Sequence, residues 1–177
     1  MASFLYKKKK YTSFQIITLG FATVIVAGAL LLMLPISSNG NIITPFNEAI
    51  FTATSAVCVT GLVVQDTATY WSGFGQCVIL VLIQIGGLGV ITVAAAFAMM
   101  SGRKISLMQR SVMQEAIAAP KVGGVVRLTN FVLKGTFLIE MTGALVMMPV
   151  FIKDFGIKGI WMSFFHSISA FCNAGFD

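Results

Sequence analysis

Charge is scarce in this chain. Only 10% of its 177 residues are Asp, Glu, Lys or Arg, where a soluble domain carries roughly 25%. Acidic residues number six, and His166 is the single histidine. An enzyme at membrane depth would need paired acids, a His–carboxylate couple or an activated Ser or Cys. Glu140 and His166 do not supply one, so no enzymatic activity is expected. Cysteine is equally sparse. Cys58, Cys77 and Cys172 show no CxxC spacing, which speaks against a disulfide framework or a zinc site. The basic clusters are short and flank apolar runs, which disfavours nucleic acid as a partner. What is abundant is apolar: 57% of residues are hydrophobic and the mean hydropathy is +0.91. This is the composition of an all-α membrane protein, with the lipid bilayer as its first partner. The fifteen Phe and ten Met read as packing and lipid-facing residues.

Residues 1–13 form a basic N-terminus with Lys7–Lys10, read as a positive-inside anchor. The apolar run after it is long and has no small-residue cleavage site, so no signal peptide is expected. A first span is expected over 14–34, long enough to cross a ~30 Å hydrocarbon core. Pro35 and the polar stretch Ser37–Asn41 end it. Thr44-Pro45 predicts a helix start, with Thr44 as N-cap. That helix, 45–56, is too short to span. A second span is expected over 74–100, and its Gly86–Gly89 stretch, GGLG, suits close helix packing rather than a bend. The linker 101–124 is basic: Arg103, Lys104, Arg110 and Lys121, with Arg127 beyond, stand against Glu115. Ile105, Met108, Val112 and Ala119 recur there at near-helical spacing. It reads equally as an interfacial helix on anionic lipid and as a dock for a cytosolic partner. A third span, 125–152, and a second short helix, 159–170, close the pattern.

Two short stretches repeat. Thr52–Leu62 reads TATSAVCVTGL, and aligning Gly61 with Gly175, 114 residues on, also pairs Phe51 with Phe165, Ser55 with Ser169, Ala56 with Ala170 and Cys58 with Cys172. Both copies read S-A-x-C-x-x-G. The same offset pairs Pro35 with Pro149, each at the end of an apolar run. Charge decides what the first copy is. If 45–62 crossed the membrane, the basic linker would lie outside, against the positive-inside rule. If 45–62 enters and leaves by one face, the N-terminus and the linker are both cytoplasmic and the loops open to the outside. Each loop is then a re-entrant hairpin with an extended outgoing strand. Such backbone must be buried in protein or line a watery cavity. A row of carbonyl oxygens suits a dehydrated hard cation, and the helix C-terminal end aimed at it adds negative potential. Gly61 and Gly175 suit backbone at φ > 0. Asp66 and Asp177 lie beyond the glycines, at an outer mouth where carboxylates would concentrate cations.

The unit of span, re-entrant pore helix, filter loop and span resembles the pore unit of tetrameric potassium channels. The loops SAVCVTGL and SISAFCNAGFD resemble the first two filter loops of the Ktr/Trk/HKT superfamily, and within it the chain is most similar to KtrB-type membrane subunits. The resemblance implies a first pore unit over 14–100, with filter 57–62, and an incomplete second over 125–177, with filter 172–176. It implies that the carbonyls of Val59, Thr60, Gly61, Asn173, Ala174 and Gly175 line a potassium path, with Cys58 and Cys172 as filler behind them. It also implies potassium as the transported ion, sodium as a candidate activator and no organic cofactor. The implied partners are a cytosolic nucleotide-binding ring of the KtrA kind and, at full length, a second copy of the protein in the plasma membrane. The family carries four such units, so the chain is expected to be a fragment. The competing expectation is a membrane piece that assembles with other subunits and does not conduct alone. Glu140, inside the third span, is expected to pair with Lys134 or with a group beyond the chain.

Overall fold

The computed structural model describes residues 12–100, 107–116 and 124–177. The Lys7–Lys10 run, Ile105, Ala119 and most of the basic linker lie outside the described residues. Among those described, the regular structure is helical: α1 (Ser13–Leu32), α2 (Phe46–Val57), α3 (Gly73–Leu88), α4 (Val90–Met100), α5 (Leu107–Ala116), α6 (Val125–Phe155) and α7 (Lys158–Phe171).

Thr12 starts α1 with a capping box, its Oγ1 accepting from Gln15 N at 3.3 Å while Gln15 Oε1 accepts from Thr12 N at 3.1 Å. Pro35 opens a short 3-10 turn, Pro35–Ser37, that stops the helix. The turn ties the end of α1 to the start of α3. Ser72 N donates to Ser37 O at 2.9 Å, Asn39 N donates to Tyr70 O at 2.9 Å, and Ser38 and Trp71 form an isolated antiparallel bridge. Trp71 is buried beneath them.

Three expectations need correction. The first concerns the start of α2, which is capped by Pro45 and not by Thr44. Thr44 is buried, and its hydroxyl lies 3.2 Å from Tyr70 Oη instead of on the helix end. The second is the expected 74–100 span, which is two helices. Gly89 adopts φ +84 and separates α3 from α4, a conformation that favours glycine. The third concerns α6, which runs three residues past the expected end at 152, with Pro149 inside it. At 1.5 Å per residue it is about 46 Å long, more than a bilayer core requires.

Helices α1 and α6 are long and apolar enough to cross a membrane, and α3 is a shorter apolar helix. Large apolar side chains face outward along α6, with Phe131 73% and Val146 72% exposed. Water does not tolerate such a surface in bulk. The inner faces pack closely. Gly28 on α1 leaves room for Leu82 of α3, whose Cδ atoms lie 2.7 Å from where a Cβ at Gly28 would stand. On α7, Gly159 presses against the Phe151 backbone and holds α7 back along α6. Helix α5 packs on α1, α4 and α6, with Met113 buried among Ala95 and Val125 and Val112 also buried. Val112 and Met113 are therefore covered by protein, while Leu107 at its start is exposed.

Candidate functional site

The two S-A-x-C-x-x-G loops have the same local construction. At each helix end the chain turns on the same hydrogen bonds: Cys58 N to Thr54 O (2.8 Å), Val59 N to Ala56 O (3.3 Å) and Thr60 N to Ser55 O (3.0 Å). The second loop repeats them with Cys172 N to Ile168 O (3.0 Å), Asn173 N to Ala170 O (3.0 Å) and Ala174 N to Ser169 O (2.7 Å). The dihedrals repeat too. Val59 and Asn173 lie at φ +56 and +57, and Gly61 and Gly175 at φ +69 and +71. The glycines were legible from the sequence. The left-handed Val59 was not, because a β-branched residue is a poor candidate for that region, whereas Asn173 is of a type that visits it more readily. Such outliers persist where the surroundings over-determine them.

The loops meet. A Cβ added to Gly61 would stand 2.5 Å from Ala174 O and 3.2 Å from Gly175 Cα. Among the described residues, none of the carbonyls of Val59, Thr60, Gly61, Asn173, Ala174 and Gly175 accepts a hydrogen bond. Thr60, Asn173 and Gly175 are exposed, Val59 and Gly61 are half-buried and Ala174 is buried, so the two touching loops carry a largely open row of six unused acceptors. The C-terminal ends of α2 and α7 run into this place and add negative potential.

Serines brace the loops from behind. Thr60 Oγ1 donates to Ser55 Oγ at 3.0 Å. Ser169 Oγ accepts from Phe176 N at 3.0 Å and donates to Phe176 O at 2.7 Å. The repeated Ser, six residues before each glycine, was the available signal for this role. On the outgoing side, Gln65 Nε2 donates to Glu48 Oε2 at 2.8 Å and ties the segment after the first loop back to α2.

The expected filler cysteines differ from one another. Cys58 is exposed, whereas Cys172 is half-buried against Gly87. All three cysteines are free thiols. Glu140 does not pair with Lys134. It is 4% exposed and receives Gln84 Nε2 of α3 at 2.9 and 3.1 Å on its two carboxyl oxygens. His166 is locally engaged: Nδ1 lies 2.9 Å from Met162 O, and its ring stacks against Phe151 at 5.0 Å. Asp66 and Asp177 are both exposed. The Thr69 hydroxyl and amide both donate to Asp66 Oδ1 at 2.7 Å and hold its carboxyl below the usual carboxylate range. Among the described residues there is no cluster of three or more His, Cys, Asp or Glu side chains to hold a metal.

A family model described as TrkH, cation transport protein, matches residues 3–177. The chain belongs to the TrkH family of cation transport proteins. It is 44% identical over 171 residues to the potassium/sodium uptake protein NtpJ of Enterococcus hirae, covering 96% of this chain and 38% of that protein. It is 44% identical over 169 residues to the Ktr system potassium uptake protein B of Bacillus subtilis, covering 95% of this chain and 38% of the relative. The protein of the same name from Vibrio alginolyticus is 38% identical over 163 residues, covering 92% of this chain and 35% of the relative. The chain thus spans well under half the length of these relatives. TrkH membership and the apolar helices together point to a membrane protein.

Proposed function

We propose that this chain supplies two filter segments of a protein that takes up potassium across the plasma membrane by selective conduction. Six free carbonyls on two touching loops, behind two convergent helix ends, support this reading most directly. A dehydrated potassium ion needs oxygen ligands in place of its hydration shell, and backbone carbonyls provide them without a fixed charge that would trap it. Val59, Thr60 and Gly61 supply the oxygens of one segment, and Asn173, Ala174 and Gly175 those of the other. Ser55 and Ser169 hold the loops in register. Asp66 and Asp177 stand at the outer mouth and concentrate cations. The ion moves down its electrochemical gradient and no bond is made or broken.

Two segments do not surround an ion, so conduction belongs to a longer protein in which further segments complete the ring. The names of the relatives, potassium/sodium uptake protein and Ktr system potassium uptake protein, support potassium and sodium as cargo and a place in a multi-part system. In that system a cytosolic nucleotide-binding subunit gates the pore, and the membrane subunit is a homodimer. The N-terminus and the 101–124 linker are cytoplasmic and the loops open outward. The full-length protein is expected to restore growth of cells lacking their own potassium uptake at low external potassium. A correctly inserted protein that restores neither growth nor potassium uptake would contradict the reading.

A further inference from the structure

Behind the second loop lies a half-buried polar chain, centred on the buried Glu140, that the conduction path does not use. Gln84 of α3 donates to both carboxyl oxygens of Glu140 on α6. The amide nitrogen of Gln84 thus faces Glu140 and its oxygen faces the other way. There, Cys172 Sγ donates to Gln84 Oε1 at 3.8 Å. One turn further along α3, a Cβ at Gly87 would stand 2.6 Å from Cys172 Sγ. Ser167 Oγ of α7 donates to Glu140 O at 2.7 Å. Cys172 is thus held between Gln84 and Gly87, and it immediately precedes Asn173, the first free carbonyl of the second loop. The first loop has no such device: the residue 114 positions before Glu140 is Val26, which is 47% exposed, and Cys58 is exposed.

We propose that the Gln84–Glu140 bridge positions the second loop against the first, and that ion preference depends on it. Gln84 and Glu140 are positioning residues and touch no ion. The bridge joins α3, which follows the first loop, to α6 and α7, which carry the second. Losing it frees Cys172 and shifts Asn173–Gly175 relative to Gly61. A shift of a few tenths of an ångström matters for oxygens that must match an ion's lost hydration shell. This inference rests on the potassium-uptake reading, and its test separates the two.

The test uses the full-length protein in membranes, with two double variants. Gln84→Met/Glu140→Met removes both polar partners while keeping side-chain length, so no unpaired buried carboxyl remains. Gln84→Glu/Glu140→Gln exchanges the partners and keeps an amide facing a carboxyl. The first is expected to lower potassium-over-sodium preference roughly five- to tenfold, the scale of one ordinary hydrogen bond lost, and the second to stay within about twofold of the parent. In parallel, with Cys58 and Cys77 replaced by Ser, maleimide is expected to label Cys172 faster in the Met/Met protein than in the exchanged one. Unchanged preference and unchanged labelling in the Met/Met variant at parental membrane levels would overturn the proposal. If the parent itself takes up no potassium, the uptake reading fails, and the Cys172 labelling rates still decide the bridge.

Discussion

Gly61 and Gly175 share a backbone shape but not the same room. Both hold a left-handed φ, near +70, which costs an L side chain roughly 1–2 kcal/mol. A methyl at Gly61 would also strike Ala174 O at 2.5 Å, whereas one at Gly175 meets only Gly61 Cα, at 3.6 Å. Gly61→Ala is therefore expected to reduce uptake by the full-length protein more than Gly175→Ala. Equal effects in side-by-side rate measurements would show that the collision is relieved elsewhere. Asp66 makes a pH prediction. Its folded pKa is lowered by the Thr69 hydroxyl and amide. The stability it contributes is therefore present above the ordinary carboxylate range and is lost as pH falls through the lowered value. Thr69→Val removes the hydroxyl bond, and a carboxyl NMR titration should show Asp66 titrating at higher pH. An unmoved titration would mean that the amide bond alone sets it.

At the scale of elements, close approach rather than composition decides which substitutions matter. Gly86 on α3 sits against the Val57 carbonyl at the end of α2, inside the volume a Cβ would need. Gly86→Ala should push α3 off the first loop and destabilise the solubilised protein by about 1–3 kcal/mol, read as a lower melting temperature. Gly135→Ala, in open space on α6, should be neutral or stabilise by about 1 kcal/mol through helix propensity. A Gly86→Ala protein melting with the Gly135→Ala protein would remove that contact from the account. Much of this level was legible in the sequence. Apolar run length gave α1 to within two residues of its observed ends, Pro45 located the start of α2, and the repeat of that short-helix pattern located α7. The break at Gly89 was not legible, because an apolar run on both sides reads the same whether the helix bends or continues. The capping role expected of Thr44 failed because its hydroxyl found Tyr70, 26 residues away. The Gln84–Glu140 bridge was hidden for the same reason: its partners are 56 residues apart, and only packing brings them together.

Across the whole molecule, the two repeats match at their loops and differ around them. Gly28, Ala29 and Leu32 of α1, with Ala53 and Ala56 of α2, are buried, and Leu82 of α3 packs at Gly28. The equivalent positions on α6 and α7, among them Gly143, Val146, Ser167 and Ala170, line an open groove of about 650 Å³. The orientation proposed from charge is tested by single cysteines in a full-length protein lacking Cys58, Cys77 and Cys172. Asp66→Cys should react with an impermeant maleimide from outside, and Glu115→Cys, exposed on α5, only after permeabilisation. The reverse pattern would invert the topology and take the loops off the outer face.

If these loops select the ion, a Gly61→Ser substitution in the full-length protein should change ion preference. A hydroxymethyl group at φ +69, facing Ala174 O, strains the backbone whose carbonyls would hold potassium. Potassium and sodium uptake measured side by side should show a lowered preference for potassium at unchanged membrane levels. A potassium preference equal to that of the parent protein would mean that Gly61 is not part of the ion path.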